Sequence, residues 1–165
     1  MMNKFVKSLE KGQIVLGIIF LLIFFTATIV QIVTRFVGWS VIWTEELANY
    51  SFIWAIFMGA AVMVNHKEHF TFDMLQSKFK GKYKSYLSIF IDALLIIFNI
   101  FITMYGFQLL NHFWDFTWET VPAFNMGVVW LAVPVMSITM IIYSLNHILN
   151  AFNSLKDPDG KGVSH

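Results

Sequence analysis

Four apolar runs, each long enough to cross a lipid bilayer, constrain this chain more than any other feature. They occupy residues 14–33, 47–64, 87–110 and 126–149. At about 1.5 Å per residue, a helix over any of these runs covers roughly 27–36 Å, which suits a hydrocarbon core of about 30 Å. Charged residues make up 13% of the chain, about half their share in soluble domains. The sequence therefore predicts an all-α membrane protein, organised as a single four-helix integral domain over residues 1–165.

The first and the last runs each contain a feature that needs interpretation. Lysines precede the first run, as in a secretory signal peptide. However, residues 14–33 exceed a typical signal-peptide core and end in Thr34-Arg35 without a small-residue cleavage site, so we expect a retained helix. In the fourth run, Pro134 predicts a kink that neighbouring helices must accommodate.

Positive charges are distributed unevenly between the connecting segments, and this predicts the orientation of the chain. Lysines lie in the N-terminal segment, between the second and third runs, and in the C-terminal segment: Lys4, Lys7, Lys11, Lys67, Lys78, Lys80, Lys82, Lys84, Lys156 and Lys161. Arg35 is the one exception among the 11 lysines and arginines. We therefore expect both termini and the middle connection on the cytoplasmic side.

The connections themselves are apolar enough to lie at the membrane surface. Residues 36–43 form a short connection with two tryptophans, whose indole rings favour the headgroup region of the outer leaflet. Residues 73–86 place apolar side chains at helical spacing between lysines, which predicts an amphipathic helix beside anionic membrane lipids on the cytoplasmic surface. Residues 111–124 are rich in aromatics, and we expect them at the outer interface.

Glu45 and Glu46 lie side by side at the start of the second run, where a charge at the hydrocarbon boundary needs a partner. Arg35 stands across the short connection, and Trp43 opens the motif. An ion pair between Arg35 and one glutamate would hold the connection in shape. The alternative is that the pair forms a docking point for another protein. Which glutamate faces Arg35 is left open.

Polar and small residues within the runs fall on single helix faces. In the third run these are Ser88, Asp92, Asn99, Thr103 and Gly106, and in the second run they are Ala48, Ser51, Ala55 and Gly59. Such stripes suit either a transport pathway or a packing seam, and membrane helix interfaces commonly use small residues in seams. Asp92 and His147 lie at similar depth, which suggests a buried pair with a structural role or, alternatively, a proton relay.

Sites for metals, cofactors and catalysis are weakly supported. His66 and His69, with Glu68 and Asp73 nearby, have a spacing that allows metal binding, but nothing else supports a metal. Of the possible axial haem ligands, His69 and His147 are the pair closest in depth. No nucleophile–base motif or phosphate loop is visible, and a net charge of +1 does not suggest nucleic acid. The sequence thus predicts no enzyme, cofactor, metal site or nucleic-acid partner.

Taken in order, several of these residues resemble a known family. Arg35, the short connection, Trp43-x-Glu45-Glu46-Leu47, an aromatic-rich span with Gly59, and His69-x-x-x-Asp73 are similar to the small membrane (DctQ-like) subunit of tripartite ATP-independent periplasmic transporters. The resemblance implies a location in the bacterial inner membrane. It also implies a scaffold that pairs with a large multi-span (DctM-like) subunit and works with a periplasmic substrate-binding protein. The implied activity is sodium-coupled uptake of an organic acid, such as a C4-dicarboxylate or sialic acid.

Two other classes remain as alternatives. A membrane anchor of a redox complex would bind haem and absorb in the Soret region. A small autonomous multidrug-type transporter is the second alternative, but such proteins usually have an essential carboxylate in the first span, and residues 14–33 contain no acid.

Overall fold

The structure of the protein, a computed structural model, describes residues 2–39, 41–66 and 82–156. Its helices are α1 (Met2–Phe36), α2 (Trp43–His66), α3 (Lys82–Phe113), α4 (Gly127–Trp130) and α5 (Ala132–Lys156). In this part of the chain, four segments are long and apolar enough to cross a membrane: Asn3–Phe36, Trp43–His66, Ser85–Phe113 and Gly127–Asn153. The prediction of an all-α protein with four spans is confirmed, and the orientation of the termini stays a prediction.

The connections within the described residues contain no separate surface helix. Residues 37–39, 41–42 and 114–126 form turns and irregular segments, with an isolated antiparallel bridge between Thr117 and Asn125. Helix α3 includes residues 82–86, the last part of the predicted amphipathic surface helix, and its candidate membrane span begins at Ser85. The surface helix itself stays a prediction. Residues 73–81 of that predicted helix lie outside the described residues.

The fourth span is interrupted near Pro134, and the interruption differs from the predicted kink. Helix α4 ends at Trp130 and α5 begins at Ala132, which puts Pro134 in the first turn of α5. Proline has no N–H to donate to the carbonyl four residues earlier, which here belongs to Trp130. A first helical turn tolerates this loss, so the span divides just before the proline.

Helices α2 and α5 lie at the centre of the bundle, with α1 packed on α2 and α3 packed on α5. A cluster of buried side chains at the core joins α1, α2 and α5: Val6, Ala61, Val64, Met136 and Tyr143. Only 11% of the apolar window of α1 is buried, against 44% of the window that covers α4 and α5. Most of the surface of α1 is therefore left for lipid or another chain.

The polar stripe of α3 faces α5 and forms a packing seam, as the more common of the two interpretations predicts. Thr103 Oγ1 lies 2.7 Å from Ser137 Oγ. A Cβ added to Gly106 would lie 3.1 Å from Val133 Cγ1 and 3.4 Å from Pro134 Cδ, so glycine lets the two helices approach closely. Asn99 is buried in the same seam.

Candidate functional site

The connection between α1 and α2 is shaped by backbone hydrogen bonds. We call its end of the bundle the outer end, after the predicted orientation. Gly38 has a φ of 83°, a left-handed conformation that glycine adopts without steric cost. The Trp39 N–H donates to the Thr34 carbonyl at 2.8 Å, and the Gly38 N–H donates to the Arg35 carbonyl at 3.3 Å. This pattern is a Schellman motif, which ends a helix and satisfies its last carbonyls. The end of α1 is therefore set by its own backbone hydrogen bonds.

Glu46 binds the outer loop between α3 and α4. Its Oε1 accepts the N–H of Glu119 at 2.8 Å, and its Oε2 accepts the N–H of Thr120 at 2.9 Å. The Thr120 hydroxyl donates to the same Oε2. Charge-assisted hydrogen bonds of this kind are stronger than those between neutral groups. The carboxylate therefore fastens a loop that is more than 70 residues away in sequence.

The predicted ion pair across the short connection is not formed within the described residues. Arg35 is exposed and makes no ion pair with Glu45 or Glu46. Glu45 is also exposed, and the loop contacts are made by Glu46. The physical reason is that Glu46 instead accepts three hydrogen bonds from the outer loop. The Schellman motif also ends α1 through backbone hydrogen bonds, without a contact between side chains.

Aromatic contacts complete the outer corner around Glu46. The rings of Tyr50 and Trp118 meet edge to face with centroids 4.7 Å apart, and Trp118 also packs on Phe124 at 5.1 Å. The backbone N–H of Trp118 donates to the backbone carbonyl of Phe124 at 3.0 Å, and this hydrogen bond closes the loop. Ring contacts and a backbone hydrogen bond thus hold the loop in place at this end of the bundle.

The remaining predicted site residues are spread along the bundle. Trp43 is partly exposed at the start of α2, beside a groove that α1 also lines. Gly59 lies on an exposed face, with no atom within 4 Å of where a Cβ would stand. His69 and Asp73 lie outside the described residues. The structure therefore does not gather Arg35, Trp43, Gly59 and Asp92 into one site.

At the opposite end of the bundle, Asp92 and His147 form the buried contact suggested by their depth. His147 Nδ1 lies 3.4 Å from Asp92 Oδ1, and Nε2 lies 3.0 Å from the Asn65 carbonyl. Because a carbonyl only accepts, Nε2 is the donor in the second contact. Together the contacts join α2, α3 and α5, as a structural role requires. Both ring nitrogens are engaged, which also leaves none for a haem iron while these contacts persist.

A neighbouring set of contacts ties α1 to the same end of the bundle. Glu10 Oε2 accepts from Asn65 Nδ2 at 2.9 Å, and Glu10 Oε1 lies 2.5 Å from His66 Nε2. Gln13 is buried, donates from Nε2 to Thr139 Oγ1 at 2.9 Å, and accepts from the Tyr143 hydroxyl. Sequence reasoning missed Glu10 and Gln13, and it considered His66 only as a metal ligand. One signal was present: Glu10 is the first acid in the chain, and Gln13 follows it on the same helix face.

These features define a class: a multi-pass helical membrane protein whose buried polar groups join helices to one another. The comparisons with known proteins give the family. The chain belongs to the DctQ component of the tripartite ATP-independent periplasmic transporters, whose family model matches residues 15–154.

A curated relative supports the same assignment. The chain is 27% identical over 138 residues to the sialic acid TRAP transporter permease protein SiaT of Haemophilus influenzae (strain 86-028NP). The match covers 83% of this chain and 22% of the relative. The chain thus spans less than a quarter of the length of that relative.

Proposed function

We propose that this chain is the small scaffold subunit of a TRAP transporter in the bacterial inner membrane. It pairs with a larger multi-span membrane subunit, and the pair imports an organic acid delivered by a periplasmic binding protein. Transport is coupled to sodium. Membership of the DctQ family is the observation on which this proposal chiefly rests.

The contacts of the polar groups support a scaffold role for this chain. The buried side chains of Gln13 and Asp92 and the partly buried side chain of Thr103 contact other helices or their own. Such contacts hold helices at fixed positions, which suits a stationary component better than a moving one. Substrate is then bound by the larger subunit and the binding protein, and this chain catalyses no reaction.

The relative bears on both the partner and the substrate. Most of the length of that relative has no counterpart in this chain. We propose that a larger membrane subunit supplies the corresponding part of the transporter. The printed name of the relative gives sialic acid as a cargo. We therefore place sialic acid first among the organic acids to be tested and a C4-dicarboxylate second.

Reconstitution tests this proposal directly. Proteoliposomes would contain the proposed larger membrane subunit, with or without this chain, and would receive the proposed binding protein outside. We expect uptake of labelled sialic acid or succinate only when both membrane subunits are present and sodium is higher outside. Uptake that is unchanged without this chain would contradict the proposal.

Two controls separate the parts of the proposal. Dissipating the sodium gradient with a sodium ionophore should abolish uptake, and uptake that persists would contradict sodium coupling. Comparing sialic acid with succinate in the same vesicles identifies the substrate class. Uptake by this chain alone would instead support a small autonomous transporter.

A further inference from the structure

The N-terminal part of α1 has a row of lysines on one exposed face. Lys4, Lys7 and Lys11 are separated by three and four residues, so they lie on the same side of the helix, and all three are exposed. Within the described residues none of them forms an ion pair. Helix α1 has 35 residues, about 52 Å of length, so its first turns extend beyond a hydrocarbon core of about 30 Å.

The opposite face of the same turns is occupied by packing contacts. Val6 and Gln13 are buried against α2 and α5. Glu10 is the acid closest to the lysines in sequence, and its two oxygens contact Asn65 and His66 of α2. The lysine row therefore faces outward, and the charge of Glu10 is directed to α2.

An apolar groove continues from the lysine row. It lies between α1 and α2 and has a volume of about 380 Å³. Its lining includes Ile14, Gly17, Ile18 and Leu21 of α1 and Ala55 and Gly59 of α2. Lys7, Lys11, Ile14, Ile18 and Leu21 follow one another at intervals of four and three residues. The cationic row and the groove thus share one face of α1.

We propose that this face binds one anionic phospholipid, with its phosphate on Lys7 and Lys11 and an acyl chain in the α1–α2 groove. The charge at one end of the groove is the reason to assign a lipid as the occupant. A lysine can lay its stem along apolar surface while its ammonium group reaches the headgroup level. A transmembrane helix in the groove would account for the apolar lining and would leave the lysines without a partner.

The shape of the groove also suits an acyl chain. Gly59 adds no side chain to the groove, and no atom lies within 4 Å of its Cβ position. On the α1 side, a Cβ at Gly17 would lie 3.4 Å from Met58 Cβ, so the two helices are in contact beneath the groove. The result is a shallow groove at the surface of the α1–α2 pair.

Native mass spectrometry of the full chain in neutral detergent tests the headgroup part of the proposal. The probes are phosphatidylglycerol and phosphatidylcholine with identical acyl chains. We expect the protein to retain phosphatidylglycerol preferentially. In the Lys7→Gln/Lys11→Gln variant, the ratio of retained phosphatidylglycerol to phosphatidylcholine should fall about fivefold for each lysine replaced. Lys156→Gln/Lys161→Gln removes the same charge elsewhere in the chain and should keep the preference.

A matched pair of glycine substitutions tests the groove. Gly59→Leu should fill the groove and lower retention of both lipids, because the added side chain takes the place of the acyl chain. Gly12→Leu is the control: Gly12 is also a helical glycine with open space around it, and it does not line the groove. Its lipid retention should equal that of the unmodified chain.

Three results would overturn the proposal. Equal retention of the two lipids by the unmodified chain would exclude a specific anionic headgroup. A preference that survives the Lys7/Lys11 change would place the headgroup elsewhere. Unchanged lipid retention in Gly59→Leu would show that no acyl chain lies in the groove. The measurement uses this chain alone, so its outcome is independent of the proposed transport function.

Discussion

At the scale of single residues, Glu46 joins α2 to the loop between α3 and α4 through polar contacts that are distant in sequence. Its two oxygens accept from the Glu119 and Thr120 backbone and from the Thr120 hydroxyl. Glu45, its neighbour, is exposed and makes none of these contacts. Adjacent residues on a helix point about 100° apart, so two glutamates in sequence face different surroundings. The two glutamates have the same side chain but lie in different surroundings.

This difference leads to a prediction for Glu46→Ala. Removing the carboxylate leaves the Glu119 and Thr120 amides without their acceptor, at a cost of about 1–2 kcal/mol in unfolding free energy. Hydrogen exchange measured by mass spectrometry should be faster in the loop over residues 117–125. Glu45→Ala is the matched control and should leave exchange unchanged. Equal exchange in all three proteins would show that Glu46 does not hold the loop.

At the scale of the helices, the α3–α5 seam depends on a glycine and the α1 surface does not. A Cβ at Gly106 would lie 3.1 Å from Val133, whereas Gly12 has open space around it. The polar contact between Thr103 and Ser137 lies in the same seam. Close helix approach of this kind strengthens dispersion contacts, which contribute much of helix association in a bilayer.

The same substitution at the two glycines should therefore have opposite consequences. We expect Gly106→Leu to destabilise the protein by about 2 kcal/mol, because the added side chain overfills the seam. Gly12→Leu should be neutral or slightly stabilising, since leucine favours helix over glycine by up to about 1 kcal/mol. Unfolding in increasing dodecyl sulfate, followed by circular dichroism, measures both. Equal midpoints for the two variants would contradict a close seam.

At the scale of the whole molecule, the two ends of the bundle differ in chemistry. The outer corner is built on Glu46 and an aromatic loop, and the other end is built on Glu10, His66, Asp92 and His147. The lysine row of α1 lies at this second end. Positive charge on the cytoplasmic side is the general rule for membrane proteins, so we predict that this end faces the cytoplasm.

Single cysteines test this orientation, because the chain has no cysteine of its own. Thr117 and Ser8 are exposed residues at opposite ends of the bundle. In cells with a permeabilised outer membrane, a membrane-impermeant maleimide should label Thr117→Cys at once and Ser8→Cys only after lysis. The reverse labelling pattern would invert the proposed topology.

The sequence alone determined the fold class and part of the packing. Run length and low charge established four spans, and the spacing of Ser88, Asp92, Asn99, Thr103 and Gly106 identified the face that packs on α5. Depth along the helices also suggested that Asp92 and His147 meet. These properties are local, because they follow from helix rise and periodicity within one segment.

Only the tertiary structure decided which partners the polar groups choose. Glu46 binds the outer loop and does not pair with Arg35. Glu10 and Gln13 join α1 to the core of the bundle. The lysine row of α1 continues into a groove that α1 shares with α2. Such pairings depend on how each helix is rotated and shifted against its neighbours. Periodicity within one helix does not specify that rotation or shift, so close packing between helices has to determine both.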